Sequence, residues 1–249
     1  MKVLFVGPTL SDLVRDGTLD GRPELICRPP AGQGDIARAV LDGASAIGLV
    51  DGRYEDVAAP WHKEILFAIQ EGVAVFGAGS LGALRAAECA AFGMIGIGAI
   101  YERYAAGELV DDSDVAQLHG PAEVGSFPIT EAFINIEATI LQAASVGDLS
   151  SDEAKKLISC ARGIFFKDLT LEALAARFTK NAADADALLG CFRRNRVDLK
   201  RRDALELVKL MTALPTQRIK VSRQWQLSQP ATWIEFMTST RRLREEAGL

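Results

Sequence analysis

The chain has 249 residues, 49% of them hydrophobic, which is enough for one large domain or for a substantial core with a smaller second one. Its formal net charge of −5 offers no general attraction to nucleic acid, and no apolar run approaches the length needed to span a bilayer. Met1-Lys2 leads straight into the strand-like Val3-Leu4-Phe5-Val6 rather than into a signal peptide, so the expectation is a soluble cytoplasmic protein with no membrane and no nucleic-acid partner. Cys27, Cys89, Cys160 and Cys191 are scattered, with no CxxC pair and no neighbouring histidine. They read as reduced core residues, and neither a metal site nor a bound cofactor is predicted.

In chain order, short apolar runs alternate with helical spacing. Val3 to Val6, Leu25 to Cys27, Ala46 to Val50 and Val73 to Phe76 predict strands, and residues 34–42, 61–71 and 81–92 predict helices between them. Strands this uniformly apolar suit a parallel sheet covered on both faces. The predicted class is α/β, a Rossmann-like parallel sheet in the N-terminal half followed by a helical C-terminal region. Residues 1–128 form the α/β core domain and residues 129–249 the helical part. Beyond about residue 130 the strand signal disappears. Glu131 to Ala144, Ser151 to Cys160, Leu171 to Arg177, Ala182 to Phe192 and Ala204 to Ala213 carry helical spacing, with Asp152 or Thr170 available as caps. The charge is uneven: residues 1–128 hold 9 Lys+Arg against 18 Asp+Glu, the remainder 19 against 15. The basic runs Arg193-Arg194-Asn195-Arg196, Lys200-Arg201-Arg202 and Arg241-Arg242-Leu243-Arg244 read as solvated helix faces or as a surface for an acidic partner.

Ligands of an open parallel sheet bind outside the carboxyl ends of its strands, so the residues just after each run matter most. These are Gly7-Pro8-Thr9 after the first strand, Asp51-Gly52 after the third and Gly77-Ala78-Gly79-Ser80 after the fourth. Gly77 to Gly82 has two glycines of a dinucleotide fingerprint with the third one residue early. Ala78-Gly79-Ser80-Leu81-Gly82 differs from the nucleophile-elbow pattern GxSxG by one residue, and it lies between a strand and a helix as that turn requires. Ser80 is therefore either a nucleophile beside helix N–H groups or simply a helix N-cap, with the glycines permitting close packing.

A serine nucleophile needs a base, and the chain has two histidines, His62 and His119. His62 opens the helix after Asp51, beside Lys63 and Glu64. His119 follows the acidic stretch Asp111-Asp112-Ser113-Asp114, in which Asp112 is a candidate orienting group. Arg85 and Glu88 share one face of the helix after Ser80, where they can pair or where Arg85 can hold an anion.

Taken together, "WHKEILFAIQEGVAVFGAGSLGALRAAECAAFGMIGIGAIYERYAAGELVDDSDVAQLH" (residues 61–119), Gly7-Pro8-Thr9-Leu10 and Asp51-Gly52 resemble the TfuA-like proteins. That resemblance implies an accessory partner of YcaO enzymes, which convert backbone amides into thioamides. It also implies a second partner, a ThiS-like sulfur carrier whose C-terminal thiocarboxylate is hydrolysed to release sulfide. On this reading Ser80 attacks, the N–H groups around Leu81 hold the oxyanion, His119 or His62 is the base, and Asp112 or Glu64 orients it. Gly7, Gly52 and Gly79 would form a channel for the carrier's tail. Two alternatives stay open: a non-catalytic adaptor that presents the carrier, and a nucleotide- or phosphate-binding module with Arg85 as counter-charge and Asp51 on a ribose hydroxyl. Nothing in the pattern specifies an oligomeric state.

Overall fold

The computed structural model describes residues 1–19, 24–53, 57–121, 125–218 and 224–246. Five parallel strands, β1 (Lys2–Phe5), β2 (Leu25–Arg28), β3 (Ala46–Leu49), β4 (Ala74–Ala78) and β5 (Ile95–Ile97), form one sheet in the order β2-β1-β3-β4-β5. The chain runs outward from β1 in one direction to β2 and in the other through β3 to β5, so the loops after β1 and β3 flank the switch point of a doubly wound sheet. The first four strands match the sequence prediction within two residues at either end. β5 was not predicted, because three residues broken by Gly96 carry no run long enough to register.

Side chains alternate between two cores, as the pleat demands. Val3, Phe5, Ile47, Leu49 and Val75 point into a cluster closed by three helices, α2 (Asp35–Leu41), α3 (His62–Gln70) and α4 (Leu81–Cys89). Leu4, Val6, Val50, Phe76 and Ala78 point the other way, toward Leu10 and toward Ala204, Leu207, Val208 and Met211. Leu10 belongs to the turn before the short helix α1 (Ser11–Arg15); the other four belong to a helix from far along the chain, α10 (Leu199–Ala213). Leu207 and Met211 are wholly buried there, and burying such a side chain contributes roughly 1.5–3 kcal/mol. The prediction started this helix at Ala204; it starts five residues earlier, and the difference brings Lys200 onto its first turn.

The other helices follow the predicted spacing closely: α6 (Phe133–Ser145), α7 (Ser151–Arg162), α8 (Leu171–Phe178) and α9 (Ala182–Arg194) share one apolar cluster around Ile140, Leu157, Leu174 and Phe192. Thr170 caps α8 as expected, its Oγ1 accepting from Ala173 N at 3.0 Å. For α7 the cap is Ser150 instead of Asp152, because the Ser150 hydroxyl accepts from Glu153 N at 3.2 Å while Glu153 reaches back to Ser150 N at 2.9 Å. Three helices were not predicted, the short α1 among them. α5 (Ala99–Ala105) bridges the sheet to α10, and α11 (Ala231–Glu246) lays Trp233 and Met237 on Ala37 of α2. Among the described residues no helix is long and apolar enough to cross a membrane.

Candidate active site

The turn from β4 into α4 begins with Gly79 at φ +72°, a left-handed conformation that an L side chain rarely adopts. A side chain there would also press on the Lys200 carbonyl, 2.9 Å from the position of an added Cβ. Gly82, on the first turn of α4, lies against the Leu49 carbonyl, which stands only 1.8 Å from where a Cβ would be, and its N–H donates to Val50 O at 3.1 Å. These glycines let α4 start directly against the end of β3.

Between them sits Ser80. It occupies the N-cap position of α4, yet its side chain makes no capping bond. The buried Oγ instead turns toward the Val115 carbonyl, 3.5 Å away, which is a long contact that leaves the hydroxyl proton loosely held. Ala83 N–H donates to Ser80 O at 2.9 Å; among the described residues the Leu81 N–H has no acceptor.

Ser80 faces a small cavity of about 30 Å³ whose walls come from four separate stretches: Pro8, Asp51-Gly52, Ser80-Leu81, and Asp112 with Val115 to Gln117 and His119. α10 closes it with Lys200. Asp51 ties the two switch-point loops together: its Oδ2 accepts from Gly7 N at 2.8 Å and Thr9 N at 3.1 Å, and its Oδ1 from the Thr9 hydroxyl at 2.7 Å. The Gly7 N–H, one of the two, with that of Gly79, that the phosphate-binding alternative would offer to an anion, is thus held by a carboxylate of the chain itself.

His119 is partly exposed, at one end of a bridge to Pro128. Its Nδ1 lies 2.7 Å from Gly120 O. A carbonyl only accepts, so Nδ1 carries the proton of the neutral ring and Nε2 keeps a lone pair. The His119 ring is thus held through Nδ1 by a backbone carbonyl. Asp112 lines the cavity on the exposed turn before it.

Sequence reasoning missed Lys200. Its side chain is 1% exposed, and Nζ donates to Val115 O at 2.9 Å and to Gln117 Oε1 at 2.6 Å. Burial pushes its amine below the ordinary lysine value, a trend that the more distant carboxylates of Asp51, Asp198 and Glu131 oppose. Lys200 stands in the run Lys200-Arg201-Arg202, which in sequence looks like a solvated basic face. Arg201 does lie outside, pairing bidentately with Asp12 at 2.6 and 2.9 Å. Only a helical register fixed by tertiary packing separates the two.

The other candidates lie elsewhere. His62 Nε2 contacts Glu88 Oε2 at 2.8 Å, and Arg85 bonds the same carboxylate oxygen at 2.5 Å and Pro60 O at 3.3 Å, forming a cluster where α3 meets α4. Lys63 points at the Trp233 ring, 5.8 Å from its centroid. Glu64 is wholly buried and accepts from Gly34, Ala37 and Trp61 N–H groups, so it caps α2 and ties it to α3. Burial pushes its carboxyl up, against the pull of those bonds.

Residues 51–170 match the model of the TfuA-like protein family. The match takes in Asp51, Gly52, Ser80, Asp112 and His119 and stops short of Lys200. No curated protein matches the chain.

Proposed function

From the premise that the chain belongs, through residues 51–170, to the TfuA-like protein family, which is associated with YcaO-dependent thioamidation, we propose that it releases sulfide from the C-terminal thiocarboxylate of a ThiS-like carrier protein. The observation that carries this reading is the Ser80 hydroxyl, turned away from its own helix and into a cavity shared with His119 and Lys200. At about 30 Å³ the cavity suits the terminal acyl group of an extended tail; pockets for whole small ligands run roughly 300–1,000 Å³.

In the first half of the reaction Ser80 Oγ attacks the thiocarboxylate carbon. An Oγ–C bond forms and the C–S bond breaks. Sulfur leaves with the bonding pair and with the proton that Oγ gave up, as hydrosulfide. The Leu81 N–H supports the oxyanion at the start of the α4 dipole. In the second half His119 Nε2 takes a proton from water. The water oxygen bonds the acyl carbon and the ester C–Oγ bond breaks. A proton returns to Oγ, and the carrier leaves as carboxylate. The net change is thiocarboxylate plus water to carboxylate, hydrosulfide and a proton.

The test is incubation of a thiocarboxylated carrier with the protein, reading free sulfide and the carrier's intact mass. Ser80→Ala is expected to slow release by about 10²-fold or more while carrier binding persists, because loss of an attacking atom far exceeds the ~1 kcal/mol of a lost cap. His119→Ala is expected to accumulate the acyl-Ser80 adduct. Undiminished release from Ser80→Ala would refute the mechanism. A wild-type protein that binds the carrier and leaves its sulfur in place would be an adaptor.

A further inference from the structure

A second cavity, of about 470 Å³, opens at the loop after β1 and shares no wall residue with the Ser80 cavity. Its walls come from the carboxyl ends of β1 and β2, from α1 and from the Gly125-Ser126 turn. The carboxyl edge beside the first two strands is where a doubly wound sheet holds a nucleotide, and an arginine near the end of the second strand there accommodates a phosphate. In this chain Arg28 ends β2 and lines the cavity. Val6, Val14 and Pro29 give the cavity apolar surface, and its volume lies within the range of pockets that take a whole small ligand.

The charge of these walls runs against the composition around them. Residues 1–128 carry 9 Lys+Arg against 18 Asp+Glu, yet among the described residues two arginines and no carboxylate line the cavity. Arg28 Nη2 bonds Asp42 Oδ2 at 2.9 Å, but Arg244 Nε holds the other oxygen of that carboxylate at 2.9 Å, so one negative charge serves two guanidiniums. Arg15 has no ion-pair partner among the described residues; Asp16, whose charge it feels, accepts from Thr18 N at 2.9 Å instead. Ser126 is 6% exposed and, among the described residues, the only non-glycine at positive φ, +50°. Its N–H donates to Pro121 O at 3.1 Å, whereas its hydroxyl has no partner among those residues although Ser126 lines the cavity. An unpartnered hydroxyl in a buried residue is costly, and backbone held in a sparsely populated region clusters at ligand sites. The Ser11 hydroxyl on α1 is likewise without a partner among the described residues.

We infer that this cavity binds a nucleoside phosphate, with Arg15 and Arg28 as counter-charges to the phosphate, the Ser126 and Ser11 hydroxyls as further donors to it, and the apolar surface against the base. The Gly7 N–H takes no part, because Asp51 already holds it at 2.8 Å; recognition falls to the guanidiniums, which bind phosphate by charge-assisted, bidentate bonds. The assignment does not depend on the acyl-transfer reading of Ser80. It also differs from the nucleotide alternative built on Arg85 and Asp51, both of which are engaged within the chain.

The test is calorimetric titration of the full chain with 5′-AMP, 5′-GMP, 5′-CMP and 5′-UMP, beside each parent nucleoside and inorganic phosphate. At least one nucleotide is expected to bind, one per chain, about 10-fold or more tighter than its nucleoside or phosphate alone, and to weaken as salt is added. Arg15→Gln, which breaks no ion pair among the described residues, and Arg28→Gln are each expected to weaken binding by about 10-fold or more, and Ser126→Ala by about five-fold. Arg15→Gln decides the matter even where Arg28→Gln, which removes a partner of Asp42, fails to fold. No binding of any nucleotide at millimolar concentration overturns the inference, as does affinity unchanged in Arg15→Gln. Phosphate bound as tightly as every nucleotide would reduce the cavity to an anion site and overturn the nucleoside assignment. Binding lost in Arg85→Gln and kept in both variants of the cavity would place the nucleotide at the other sheet-edge site.

Discussion

Two glycines one turn apart hold Ser80 in place for different reasons, and substitution separates them. At Gly79 an alanine must adopt φ +72° and displace the Lys200 carbonyl, 2.9 Å from its Cβ. Strain of this kind costs of order 1–3 kcal/mol. At Gly82 the obstacle is the Leu49 carbonyl at 1.8 Å, backbone of a central strand with no freedom to retreat. Gly82→Ala is expected to be the more destabilising, exceeding the ~1–3 kcal/mol of ordinary overpacking, and the order can be read from urea midpoints. Gly79→Ala should impair catalysis beyond its effect on stability, because the carbonyl it pushes belongs to Lys200. Equal urea midpoints for the two variants would show that α4 can slide away from β3.

At the level of elements, α10 connects the helical region to the Ser80 cavity. Leu207 and Met211 anchor it to the sheet, Lys200 enters the Ser80 cavity, and Asp203 accepts from Ile100 N at 2.8 Å at the start of α5. Asp203 is buried, and burial lifts its carboxyl above the ordinary value while the α5 N–H groups pull the other way. Asp203→Ala would strand those N–H groups without water and is expected to cost about 1–3 kcal/mol, with faster exchange of the Ile100 amide; Asp203→Asn, which still offers an acceptor, should cost less. Normal protection of that amide in the alanine variant would show that α5 does not depend on α10. The neighbouring basic run is less uniform than its sequence suggests. Arg194 lies 3.4 Å from Asp148, and Arg196 pairs with Glu131 at 2.5 Å, so two of its three arginines are engaged within the chain.

For the molecule as a whole, buried carboxyls pull the pH dependence of stability one way, and the lowered Lys200 amine opposes them, favouring the fold as pH rises toward the ordinary lysine value. Burial raises Glu64, Asp114, Glu131 and Asp203 above their ordinary values. Between the unfolded values of about 4 and these raised ones, the folded protein holds protons that the unfolded chain has released. Stability therefore falls as pH rises through that window. Asp12 acts oppositely: the hydrogen bond from Arg201 lowers it, so its contribution is present above about pH 4 and lost in stronger acid. Denaturant titrations across pH are expected to show greatest stability in mild acid and a decline toward neutrality, shallower in Glu64→Gln. A stability that climbs steadily from pH 4 to 8 would contradict this balance.

The amino-acid sequence by itself determined the parallel α/β half, most of the helices after residue 130 and the strand-to-helix turn at Ser80. Each of these is local: apolar runs, helical spacing and glycine at a turn register within a few residues of chain. It also supplied the resemblance to the TfuA-like family, of which the family match covers Asp51-Gly52 and residues 61–119 and leaves out Gly7-Pro8-Thr9-Leu10. The tertiary structure alone decided which polar residues share a cavity. Both His62 and His119 were candidates in sequence, yet α3 points His62 toward Glu88 while the loop after Asp112 brings His119 into the wall of the cavity that Ser80 lines. Glu64, in sequence a candidate for orienting a base, caps a neighbouring helix. Lys200 and Arg201 were one basic run until the packing of α10 buried the first and left the second outside. A site assembled from residues 8, 51, 80, 119 and 200 depends on contacts between distant segments, and no local pattern encodes them.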